Sequence, residues 1–315
     1  DFISIVFAGL VIFLLLYLQN CLIRALGDSK TPTVLLAVTL AINVVLEPVA
    51  ILVFGWGIPG AALATVFSQG IGAFLFWIYI RRRVPVLHTR WSDWQPNTSV
   101  LMAHLRMGLP MAFQSSVIAI GAIIVQVALN NLGALPVAAY AATQKIDAVA
   151  VMPMLSFGYA MAAYTAQNYG AQKYERIRMG VHACLKMSMA FAVGIGVLLI
   201  AFGTFFLELF VGADAAGAEE VIAYGHTYLV VTGSTYTILA LLLVYRNVLQ
   251  GLGQSVIPTI AGVMELIMRA VAAIFLCSSL GFLGACMAYP LAWIGAAIPV
   301  VLAYFWTERT LRHAS

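Results

Sequence analysis

"IRALGDSKTPTVLLA", Ile23 to Ala37, lies between two long apolar runs and gathers Gly27, Asp28, Lys30 and Pro32 within six residues. "LQGLGQSVIPTIAGV", Leu249 to Val263, says nearly the same thing again. A shift of 226 puts Leu26-Gly27 on Leu252-Gly253, Ser29 on Ser255 and Pro32-Thr33 on Pro258-Thr259. Further on, with two residues fewer between, "GIPGAALA" (Gly57 to Ala64) falls on "GFLGACMA" (Gly281 to Ala288). Each copy reads helix, Gly-x-Ser-x-x-Pro turn, helix, Gly-x-x-Gly turn, helix. The two copies keep the same orientation, as in a parallel repeat about an axis along the membrane normal.

The setting is a membrane. The chain is 63% apolar and 9% charged, whereas a soluble domain has about 45–50% apolar and about 25% charged residues. Nine runs are long enough to span: 2–23, 33–54, 58–80, 108–130, 137–166, 187–207, 221–245, 256–279 and 283–306. Lys and Arg crowd alternate connections. The first holds Arg24 and Lys30, the third Arg81, Arg82, Arg83, Arg90 and Arg106, and the fifth Lys173, Arg176, Arg178 and Lys186. The seventh holds Arg246, and the tail holds Arg309 and Arg312. The sixth is acidic, with Glu208, Asp214, Glu219 and Glu220. By the positive-inside rule the first residues lie outside and the C-terminus in the cytoplasm.

The expected fold is therefore all-α: a polytopic membrane protein with nine transmembrane helices and a two-lobe parallel repeat whose first lobe is incomplete. Residues 1–83 form a partial N-terminal lobe of three helices, 84–107 a cytoplasmic linker, and 108–315 a C-terminal lobe of six helices. Helices 4–6 lack counterparts, so three further helices are expected before Asp1. No signal-peptide pattern opens the chain. Two lobes of this kind are transporter architecture.

Other chemistries are not written here. The net charge of +4 implies no nucleic-acid partner. Phosphate-loop, H-E-x-x-H and G-x-S-x-G motifs do not occur, so no enzyme activity is expected. Cys21, Cys184, Cys277 and Cys286 read as small buried hydrophobes, without a metal site. His226, at the start of a helix, is a poor metal candidate.

Ionisable groups inside the bilayer cost free energy and mark function by default. Five stand in the runs: Glu47, Lys145, Asp147, Glu265 and Arg269. Glu265 and Arg269 are four apart and share a helix face. They read either as a local ion pair or as a cavity lining that opens when Glu265 is protonated. Their repeat partners are Thr39 and Asn43. Gln144 shares a face with Asp147, a candidate for ion or substrate handling, and Pro153 follows with a potential kink. Lys145 reads as a structural partner of a carboxylate on another helix. Asn43 lies one turn before Glu47, and Pro48 frees the carbonyl of Val44, so this patch suits a cation or a proton. Gln114, Gln126, Tyr140 and Tyr236 can serve a cavity by hydrogen bonding or cation–π contact.

"RALGDSKTP", "INVVLEP" and "GIPGAALATVFSQ", followed by "GLPMAFQSSVIAIG", "AATQKIDAVAVMP" and "AQNYGAQKYERIRMG", resemble the multidrug and toxic compound extrusion (MATE) family, in family order and over essentially the whole chain. The chain looks like helices 4–12 of a twelve-helix member. The resemblance implies an inner-membrane antiporter that exports organic, often cationic amphipathic compounds in exchange for protons or sodium. It implies alternating access between two lobes, no cofactor, and a monomer whose partners are small molecules and the lipid bilayer. In the family the first-lobe ion site draws on the helix carrying Asn43 and Glu47. The sodium-coupled branch has a second-lobe Glu where this chain reads Ser115-Ser116-Val117-Ile118, and an Asp on the helix of Tyr236 and Leu239, where no acid stands. The ion-coupling or substrate-binding residues expected are Asn43, Glu47, Gln114, Gln144, Asp147, Glu265 and Arg269. A lipid-linked saccharide flippase and a non-transporting scaffold are the alternatives. A flippase would show a strongly cationic cavity, whereas here Lys145 and Arg269 stand against three acids.

Overall fold

The computed structural model describes residues 2–89, 93, 95, 97–211 and 217–313; Arg90, Asp214 and the side chain of Arg312 lie outside them. Every regular element among the described residues is helical. The chain divides into two compact units, Asp1–Asn97 and Thr98–Ser315.

In the first unit α1 (Phe2–Ala8) and α2 (Leu10–Ala25) form one pair bent by 53°. Next come α3 (Lys30–Pro48), continued by a π turn at Val49–Val53, and α4 (Gly57–Arg83). The second unit begins with three long helices, α5 (Thr98–Asn130), α6 (Ala134–Gly170) and α7 (Tyr174–Val211). The pair α8 (Ala218–Gly233) and α9 (Tyr236–Gly251) is bent by 49°. Then come α10 (Val256–Val271), a π turn at Ala272–Leu276, α11 (Cys277–Leu280) and α12 (Phe282–His313). Among the described residues seven helical stretches are long and apolar enough to span, and nine if each bent pair is one span.

The repeat is visible in the backbone. The first copy bends at Gly9; a shift of 226 lands on Thr235, where the second copy bends. Gly233 and Ser234 precede that bend, a pair that commonly marks kinks. Gly27 and Gly253 both have positive φ, at 93° and 80°, as do Gly57 and Gly281, at 56° and 57°. Side chains with a Cβ resist that region, which is why both turns repeat as glycine. A π turn precedes the second turn in each copy. The residue after each turn glycine ties the turn to the third helix of its copy. Asp28 Oδ2 accepts from the Tyr79 hydroxyl at 2.9 Å, and Gln254 Nε2 donates to Thr307 Oγ1 at 3.2 Å. Asp28 also caps α3, accepting from the amides of Lys30 and Thr31 at 3.1 and 3.0 Å. The Thr31 side chain and amide hold its carboxyl below the ordinary range.

Several boundaries differ from the sequence reading. Residues 98–107, read as the end of a linker, are the first turns of α5. Arg176, Arg178 and Lys186, assigned to a connection, belong to α7. At 1.5 Å per residue a helix of 38 residues reaches about 57 Å, well past a hydrocarbon core of about 30 Å, so its charged ends project into the interface. α6 runs through Pro153 as one helix. Cys21 is exposed, unlike the three buried cysteines, and His226 sits in the middle of α8, its Nε2 3.0 Å from the Ile200 carbonyl.

The second turn has a steric requirement. A Cβ at Gly284 would collide with the carbonyl oxygen of Leu276, in the π turn. Gly284→Ala therefore forces backbone apart at the entry to α12. Overpacking of this kind costs about 1–3 kcal/mol, read as earlier thermal unfolding in detergent. Gly194→Ala, with nothing within 4 Å of its Cβ, is the control and should unfold as the parent does.

A candidate ion and substrate site in the six-helix unit

Within the second unit the polar residues gather along one line of side chains. α10 packs mainly against α12 and α5, while α6 packs against α9, α7 and α8. A Cβ at Gly121 would sit 3.1 Å from Arg269 Cδ. The missing side chain lets α5 lie against α10, and Arg269 Nη1 donates to the Ile118 carbonyl at 3.0 Å.

Glu265 and Arg269 do pair, Nη2 to Oε2 at 3.1 Å. A third partner joins them: Arg246 Nη2 donates to Glu265 Oε1. All three side chains are buried, Glu265 at 3%, Arg269 at 4% and Arg246 at 8% exposure. Arg246 therefore lies inside α9, where the sequence pattern predicts a connection. Two guanidinium groups hold one carboxylate through charge-assisted hydrogen bonds, a geometry that ties α9 to α10. Shifting 226 residues back gives Asn20, Thr39 and Asn43 at these positions, so only the second copy carries the charged staple.

Arg269 also stacks on Tyr289 of α12, its guanidinium carbon 4.8 Å from the ring centroid. The Tyr289 hydroxyl is 2.7 Å from that of Tyr140 on α6. Tyr140 meets Tyr228 edge to face, with centroids 5.7 Å apart. Gln144 Nε2 donates to the Tyr228 hydroxyl at 2.9 Å. One turn on, the Tyr236 hydroxyl donates to Asp147 Oδ1 at 2.5 Å. Asp147 is half-buried and makes no ion pair among the described residues. Its surroundings are thus aromatic and hydroxylic, in contrast to those of Glu265.

The remaining expectations scatter. Gln114 is buried and accepts from Gln250 Nε2 at 3.4 Å. Gln126 is half-buried and its Nε2 donates locally to Asn130 Oδ1 at 3.0 Å. Lys145 is exposed and pairs with no carboxylate among the described residues, which corrects its assignment as an ion-pair partner. Residues two apart on a helix face away from each other, and Lys145 leaves the side of α6 that carries Asp147. In the first unit Asn43 Nδ2 reaches Thr65 Oγ1 at 3.5 Å, and Glu47 is half-buried, with no hydrogen bond or ion pair among the described residues.

Arg246, Tyr228 and Tyr289 were missed. A lone Arg near the end of an apolar run reads like a loop cation. The signal that places it is the repeat, because Asn20 at the matching position stands inside the first span. With Arg246 counted, the membrane-embedded charges are Lys145, Arg246 and Arg269 against Glu47, Asp147 and Glu265. The acidic surplus read from the sequence disappears.

A family model described as MatE matches residues 110–275, a little over half of the 315 residues. "Probable multidrug resistance protein YpnP" of Bacillus subtilis (strain 168) is 28% identical over 230 residues, 72% of this chain and 50% of the relative. "Probable multidrug resistance protein YoeA" of the same organism is 26% identical over 314 residues, 96% of this chain and 66% of the relative. The chain thus spans between half and two thirds of the length of these curated relatives. Among solved structures, MATE in complex with MaL6 superposes with a TM-score of 0.88 at 19% identity, covering 99% of this chain and 69% of that one.

Proposed function

The chain belongs to the MatE family, and from that premise we propose that the protein exports organic amphipathic compounds, cations among them, in exchange for protons or sodium by alternating access. It works in the cell's inner membrane, with the Lys- and Arg-rich connections on the cytoplasmic side. The observation that carries the reading is the contrast between the two acids of the six-helix unit. Glu265 is buried and held by two guanidinium groups, so neither a proton nor a cation gains access without breaking both pairs. Asp147 is half-buried, bonded through one oxygen to a phenol, and lacks a counter-charge among the described residues. A carboxylate in that state accepts either a proton or a cationic group, and the exclusion of one by the other is what antiport requires.

In this scheme Asp147 is the exchanging acid, Tyr236 orients its carboxylate, and Gln144 with Tyr228 extends the polar face beside it. Asn43 and Glu47 are the second candidate pair, in the first unit. A saccharide flippase would need a cluster of unpaired cations to meet phosphate, but Arg246 and Arg269 are buried and paired with Glu265, which leaves Lys145 by itself among the membrane-embedded cations of the described residues.

The test is lipophilic-cation flux in proteoliposomes holding the intact protein, with a pH gradient and a sodium gradient imposed separately. Flux that follows one gradient and collapses when that gradient is dissipated is the expected result. Equal, gradient-independent flux, or none under either, would overturn the antiport reading.

A further inference from the structure

At one end of the second unit, where α7 begins, a cavity of about 420 Å³ opens between that turn, the end of α9 and the last turns of α12. Lys173, Arg176 and Arg178 line it, together with Ile177, Leu252 and Tyr304. We propose that this cavity holds the phosphate of an anionic phospholipid headgroup, with the acyl chains lying against the neighbouring apolar helix faces. The inference rests on the membrane-spanning helices and is independent of drug export.

Charge gives the ligand's sign. Arg178 is paired with Glu175 at 2.6 Å. Lys173 and Arg176 are exposed and form no ion pair among the described residues. Glu308 also lines the cavity, so three cations face two carboxylates, and the rim keeps a net positive charge that suits an anion.

Position gives the ligand's kind. Tyr174 stacks obliquely on Tyr169 at 6.0 Å, and Tyr304 on Tyr245 at 4.5 Å. Amphipathic rings of this sort concentrate at the headgroup level of a bilayer. Met179, Leu302 and Trp306, within about two turns along α7 and α12, are exposed apolar side chains. A site with basic groups at the rim and exposed apolar surface beside it suits a lipid, because a free inorganic anion would leave that surface unused.

The experiment is native mass spectrometry of the intact protein released from micelles containing equal amounts of phosphatidylglycerol and phosphatidylcholine. The protein should retain phosphatidylglycerol preferentially, less so at high salt. Each basic residue beside an anionic lipid is worth roughly fivefold, so Lys173→Ala with Arg176→Ala should weaken that retention about 25-fold. Arg81→Ala with Arg82→Ala, in the first unit, removes the same charge elsewhere and should leave it within about twofold of the parent. Both pairs are surface substitutions, and thermal unfolding checks that they fold. Undiminished retention in the Lys173/Arg176 variant, equal loss in the Arg81/Arg82 variant, or no preference for phosphatidylglycerol would overturn the proposal. Displacement of the lipid by inorganic phosphate alone would overturn it in favour of a free-anion site.

Discussion

Glu265→Gln should destabilise the six-helix unit by about 3–5 kcal/mol, the usual cost of leaving a buried ion-pair partner without its counter-charge. Here two partners are stranded. Arg246 and Arg269 are both buried, and each reaches Glu265 through a different carboxylate oxygen. A glutamine side chain still offers one acceptor, but it cannot neutralise two cations in a low-dielectric interior. The loss should appear as earlier thermal unfolding and as lower yield of monodisperse protein. A second variant separates charge from packing. Arg246→Met, Glu265→Leu and Arg269→Met together remove every charge while keeping roughly the same volume. Swaps of this kind are often neutral or stabilising. The triple variant should therefore recover most of the loss, short of the hydrogen bond from Arg269 to the Ile118 carbonyl. If Glu265→Gln unfolds at the parent's temperature, the three residues do not act as a staple.

This staple explains where reading the sequence worked and where it stopped. The two copies were legible because their turns are set by local backbone chemistry. Glycine occupies positive φ at Gly27, Gly57, Gly253 and Gly281, and local constraints are written in adjacent residues. The spans were legible because hydrocarbon demands apolar runs. Arg246 was not legible from its own neighbourhood, which looks like the end of a span; the repeat places it inside a helix, but its partner is a carboxylate 19 residues away on another helix. Tyr228 and Tyr289 were hidden for a related reason. A tyrosine in an apolar run is ordinary packing until its hydroxyl meets a partner, and these partners come from Gln144 and Tyr140 on α6. Periodicity placed Gln144 and Asp147 on one face, but the phenols that bind them come from α8 and α9.

Asp147→Asn should lower ion-driven flux at least tenfold while leaving the fold intact. The substitution keeps an oxygen for the Tyr236 hydroxyl, so the geometry that orients position 147 survives. What it removes is the charge. A hydrogen bond or contact to a charged group is worth about 1.5–3 kcal/mol, and so roughly 10- to 150-fold in the affinity for whichever cation or proton Asp147 receives. The amide is fixed in the neutral state, equivalent to a permanently protonated acid. Two readouts then separate its roles. Substrate binding to the parent should weaken as pH falls and the carboxylate is neutralised, whereas binding to Asp147→Asn should not change over the same range. Exchange of labelled for unlabelled substrate, with no gradient, should persist in the variant if Asp147 handles only the ion, and should fail if it also holds the substrate. Glu47→Gln, made alongside, decides between the two units. If Asp147→Asn keeps the parent's gradient-driven flux and Glu47→Gln loses it, the exchanging acid lies in the first unit, and the polar line from Asp147 to Arg269 serves to hold six helices together.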